Sequence, residues 1–100
     1  MKNVILSADG DCVVYSVPDE VADNLREYCI EFCDEWLWKS PDAKKYRSKN
    51  GVCYNEEDFI EYLNKWLFPN QILKFVENIG WISKNSQIPQ KYKDCPRFNF

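Results

Sequence analysis

Five cysteines and not one histidine set the chemical repertoire of this chain. Without imidazole there is no Ser-His-Asp or Cys-His catalytic arrangement and no zinc site that uses a ring nitrogen. Cys29, Cys33, Cys53 and Cys95 could in principle supply a four-thiolate zinc site. The paired, closely spaced knuckles of zinc ribbons are missing, however, and Cys29 and Cys33 share one helix face with Leu25, Phe32 and Trp36. That placement reads as core packing by small apolar thiols. A nucleophilic thiol needs a neighbouring base or cation, and only Cys53, which follows a Lys/Arg segment, has one nearby in sequence.

The carboxylates divide into three groups. Asp9-Gly10-Asp11 has the opening of a calcium loop but neither the further ligand spacing nor the terminal glutamate, so a tight turn accounts for it. Glu56, Glu57 and Asp58 stand where the first turn of a helix favours negative charge, which explains them without acid/base chemistry. The third group is the most informative. Residues 1–38 carry nine acidic side chains against Lys2 and Arg26, whereas residues 39–50 carry five basic ones against Asp42 alone.

Within the acidic half, Glu20, Asp23, Glu27, Glu31 and Asp34 recur at three- and four-residue spacing and line one face of a helix. Like charges so spaced repel by a few tenths of a kcal/mol per pair in an isolated helix, roughly, so the stripe has a cost. It reads either as a solvated face that keeps the chain soluble or as a docking surface for a basic protein. Continuing the spacing adds Glu35 and places Trp38 beside Glu27, Glu31 and Asp34, an aromatic anchor in an acidic surround.

The opposite charge lies in Lys44, Lys45, Tyr46, Arg47 and Lys49. This loop is the alternative interface, for nucleic acid. A net charge of −3 and a pI near 4.9 work against whole-domain binding to phosphates. The same loop against the acidic helix of a second copy would give a homodimer.

The elements that must hold these groups are legible from pattern. Residues 3–8 and 11–17 are β-branched and apolar around Asp9-Gly10, a type I′ turn signal, so a β-hairpin opens the chain. On its second strand Val13, Tyr15 and Val17 form the expected core face, with Cys12, Val14 and Ser16 turned the other way. Pro18 and the acids after it start a helix that the Ser40-Pro41 step ends near Lys39, with Val21, Leu25, Tyr28, Cys29, Phe32 and Trp36 buried. Pro41 can open a short helical turn through Tyr46.

Asn55 caps a second helix whose expected buried face is Phe59, Ile60, Leu63, Trp66 and Leu67. Residues 72–79 fit either period; their brevity, the bounding Pro69-Asn70 and Gly80, and the hairpin's need for a partner select strand. The last twenty residues show little periodicity, and the aromatics of Phe98-Asn99-Phe100 are expected against the body of the protein.

One hundred residues, 45% of them hydrophobic and 16% aromatic, suit one domain with its own core. No apolar run is long enough to span a bilayer, the start is too short in apolar residues for a signal peptide, and the odd cysteine count suits reduced thiols, all of which points to the cytoplasm. We expect an α+β fold: a small antiparallel sheet, the N-terminal β-hairpin plus a third strand, packed against two amphipathic helices. The expected function is that of a small acidic, non-catalytic protein-binding module with no metal or cofactor. In concrete form it would be an inhibitor or immunity-type protein whose acidic helix face meets a basic partner where phosphates would otherwise sit. Such proteins resemble this chain in size and acidity, not in any motif.

Overall fold

β-Branched and apolar residues fill both strands of the opening hairpin, and their burial on both sides decides the architecture. The computed structural model describes residues 1–8 and 10–100; the type I′ turn and the calcium-like run expected at Asp9 lie outside the described residues. Among the described residues the strands are β1 (Lys2–Ser7), β2 (Asp11–Val17), β3 (Arg47–Ser48), β4 (Gly51–Val52), β5 (Lys74–Trp81) and β6 (Arg97–Asn99). β1 and β2 pair antiparallel from Lys2↔Val17 to Leu6↔Val13. β5 adds antiparallel to β2, and β6 adds parallel to β1 with Ile5 opposite Arg97. The fold is thus α+β around a four-stranded sheet ordered β5-β2-β1-β6, with β3 and β4 as a separate short pair.

Two expectations change here. The sheet has four strands and is mixed, because the C-terminal aromatics come in as a strand: Phe100 N–H donates to the Ser7 carbonyl at 2.7 Å. The sheet is also covered on both faces. Val4, Leu6, Val13, Tyr15 and Val17 join the helices in one core, while Ile5, Cys12 and Val14 join Ile88 and Tyr92 in a second. Alternation places these sets on opposite faces, so Cys12 and Val14, expected outside the core, are buried at 1% and 0% exposure. The cover on that side is the irregular segment after β5, with short 3₁₀ turns at Asn85–Gln87 and Gln90–Tyr92. It is fastened back to the sheet by Tyr92, whose hydroxyl donates to Glu77 Oε2 at 2.5 Å, and by a 3.2 Å ion pair between Lys91 and Glu77. Those two partners hold the Glu77 carboxyl below its usual range.

On the other face lie α1 (Asp19–Asp23), α2 (Leu25–Ile30), α3 (Leu37–Lys39) and α4 (Glu56–Tyr62). The long helix expected from residue 19 to Lys39 ends where it should, yet it is not continuous. Asn24 leaves helical geometry with φ −132° and ψ 37°, separating α1 from α2. α2 and α3 are joined by a π-helical stretch, Glu31–Trp36, and α4 runs on into another, Leu63–Leu67. The wide π turns occur where the two helices press their largest side chains together: Trp36 lies 4.8 Å from Tyr62 and 6.4 Å from Trp66 between ring centroids.

Asn55 caps α4 as expected, in a reciprocal box: Asp58 N–H donates to Asn55 Oδ1 at 3.1 Å and Asn55 N–H donates to Asp58 Oδ2 at 2.9 Å. Phe59, Ile60 and Leu63 are buried, as is Tyr62, whereas Trp66 and Leu67, expected inside, are each 42% exposed. The π turn rotates this end of the helix away from the simple 3.6-residue pattern.

Phe32 is the centre of the helix-side core. Fully buried, it meets Trp36, Tyr54, Phe59, Tyr62 and Phe100 within 5.2–6.1 Å. Phe32→Ala removes every one of these contacts, and urea unfolding should register a loss of about 3–5 kcal/mol.

Candidate functional site

The acidic side chains are distributed by the break at Asn24 and by the π turn, so they do not form the continuous stripe that spacing implied. Asp23, on α1, pairs with Lys2 at 2.7 Å, and Asp19 pairs with the amino terminus at 2.9 Å. These contacts tie α1 to the start of β1 and raise the Lys2 ammonium above its usual value. Glu20 accepts a 2.6 Å hydrogen bond from the Tyr28 hydroxyl, which pushes that phenol up to about 12. Glu35 pairs with Lys39 one turn on, and Asp34 Oδ1 accepts a long 3.6 Å contact from Cys33 Sγ.

Glu27 and Glu31 differ from these. Neither forms an ion pair or side-chain hydrogen bond among the described residues, and both stand at the rim of an open groove between α2 with its π extension and α4. Tyr28, Tyr62 and Leu67 form its floor, and its volume is about 270 Å³. Tyr62 is buried and its phenol is pushed up first by that burial, then by the Glu31 charge. Exposed Leu67 and Trp66 on the α4 side were assigned by pattern to the core. Spacing names Glu27 and Glu31 only as two members of a longer acidic stripe, and it assigns Leu67 to the core, where the π turn instead leaves it exposed.

Trp38 is 52% exposed, which answers a question that spacing along the helix left open. Its neighbour is the basic loop: a side chain built at Gly51, whose φ is +122°, would come within 3.9 Å of the indole. The loop itself is only partly free. Arg47 Nη1 donates to the carbonyls of Leu37 and Ser40, both at 2.9 Å, and so closes the C-terminal end of α3. Lys45 pairs with Glu61 at 3.7 Å and lies 5.0 Å from the ring of Tyr46, which packs on Trp36. Lys44 and Lys49 are exposed.

Among the described residues, no cluster of three or more His, Cys, Asp or Glu side chains converges as metal ligands would. Cys12 and Cys29 are buried, Cys33 and Cys95 half-buried, and Cys53 exposed. Burial drives the thiol of Cys29 far above its ordinary value and raises Cys33 and Cys95 as well. Cys53, expected like the others to serve as packing, is instead at the surface.

Two measurements follow from this geometry. Arg47→Gln should cost about 1.5–3 kcal/mol in urea unfolding because it uncaps two carbonyls from a charged donor, whereas Lys44→Gln and Lys49→Gln should each stay within about 0.5 kcal/mol. Maleimide labelling of the native protein, read by peptide mass, should modify Cys53 first and leave Cys12 and Cys29 unmodified until the chain is denatured. Among the described residues no helix is long and apolar enough to cross a membrane. Comparison with protein-family models, with curated proteins and with solved structures finds no match, so the functional reading rests on the geometry of this chain alone.

Proposed function

We propose that the protein is a small, non-catalytic binding module that docks a basic protein partner on the groove between α2 and α4. One observation carries the reading: Glu27 and Glu31, neither of them in an ion pair or side-chain hydrogen bond among the described residues, line an open groove together with Tyr28, Tyr62 and Leu67. A carboxylate pair at the rim steers and orients a basic ligand, and desolvated aromatic and aliphatic surface supplies the affinity. The complementary partner segment carries an apolar side chain, inserted over Leu67 and Tyr62, with Lys or Arg on either side.

Asp34 and the exposed Trp38 lie further along the same helix, outside the groove lining, while Glu20, Asp23 and Glu35 act by their field, since each already has a partner within the chain. An inhibitor or immunity-type role, in which carboxylates occupy the place of nucleic-acid phosphates on a basic enzyme, is the concrete form we favour. A free surface thiol at Cys53 supports a reducing, cytoplasmic setting.

The test is affinity capture from native extract with three baits: wild type, the pair Glu27→Lys with Glu31→Lys, and a control with Glu57→Lys on the exposed first turn of α4. A basic protein held by wild type and control, with at least about a tenfold weaker Kd for the double variant, supports the groove. Equal binding by all three baits removes it.

A further inference from the structure

On the sheet face away from the helices, the structure assigns a second site, for a phosphate-class oxyanion, to the pocket in which Arg97 and Lys93 face Asn85 and Ser86. The pocket is about 370 Å³, and its remaining lining residues, Ile88 and Cys95, belong like Asn85, Ser86 and Lys93 to the cover segment. Arg97 reaches it from β6, because the parallel register that sets it opposite Ile5 points both side chains to the same face.

The guanidinium is the reason to look for a ligand. Its Nε is sealed from solvent without an acceptor, so the charge can be answered only at the two Nη groups. Its remaining contacts are a 3.5 Å approach of Nη1 to Asn85 Oδ1 and a 3.8 Å approach of Nη2 to Cys12 Sγ, both long and both to neutral groups. Among the described residues neither Arg97 nor Lys93 forms an ion pair. A half-buried guanidinium with five donors and no counter-charge is costly, and arginine chains in folded proteins are normally matched to carboxylate or phosphate. The nearby acid, Asp94, lines a different depression with Lys2 and Lys91.

A tetrahedral dianion matches the donors better than a carboxylate does. Arg97 offers a planar fork, Lys93 a point charge, and Asn85 and Ser86 neutral donors, so three or four oxygens are served from separate directions. The volume exceeds that of phosphate itself, which leaves Ile88 and Cys95 to cover the organic part of a phosphate monoester. Binding here would also pin the cover segment to β6, joining elements otherwise held by the second core and the Tyr92–Glu77 contact.

Titration of uniformly ¹⁵N-labelled protein with inorganic phosphate and then pyrophosphate, at ionic strength held constant with chloride, tests the site. A saturable shift of the Arg97 Nε–H and Asn85 side-chain resonances at millimolar phosphate or below is the expected result. Arg97→Lys should weaken it at least tenfold and Lys93→Gln three- to tenfold. Lys93 is exposed, so its variant decides the question even if the Arg97 variant fails to fold. The assignment is overturned if chloride alone gives the same shifts, if no saturation occurs, or if Lys93→Gln binds as wild type.

Discussion

The helical half of this protein is organised by one ring. Phe32 lies at 0% exposure where α2, the loop before α4, α4 itself and the C-terminal aromatic all converge. Edge-to-face and tilted pairs of this kind add about 0.5–1.5 kcal/mol each beyond the apolar area they bury. The contacts are mutually dependent: Phe100 reaches Phe32 only because β6 pairs with β1, and Trp36 reaches Tyr62 across two π-helical segments. The groove between the helices is the outer margin of the same aromatic packing. Its floor residue Tyr62 faces Phe32 on one side and solvent-facing Leu67 and the two glutamates on the other.

Much of this was legible. The hairpin, the Asn55 cap and the end of the first long helix near Lys39 each announce themselves through local chemistry that tertiary contacts leave unchanged, whereas the strand after Pro69 fits either period and is selected by the hairpin's need for a partner, and it runs through Gly80 to Trp81. What escaped was set by long-range partners. Arg97–Asn99 carries no strand signal, since three residues with one aromatic between polar neighbours are too short for periodicity; their strand exists because β1 offers an open edge. Cys12 and Val14 were assigned away from the core because alternation names two faces and cannot say that a later, irregular segment covers the second.

The candidate site shows the same division. Residue type and spacing name Glu27 and Glu31 only within a stripe of six carboxylates and cannot single them out. Which carboxylates remain outside ion pairs depends on Lys2 and Lys39 in three dimensions, and the exposure of Leu67 depends on a π turn that no spacing rule anticipates. Arg47 illustrates the converse: counted as an interface cation from its basic neighbours, it serves as a helix clasp.

The parallel pairing of β1 with β6 has a consequence for how the chain is assembled. β1 and β6 lie at opposite ends of the described residues, so the outer edge of the hairpin stays open until β6 has been added. Contacts between sequence-distant segments carry a loop-closure cost before they stabilise anything, and they slow folding. During that interval the hairpin edge and the unassembled aromatics are the surfaces a chaperone would meet, and also those through which nascent copies would stick to one another. Pairing of β6 with β1 is what covers that edge in the folded chain.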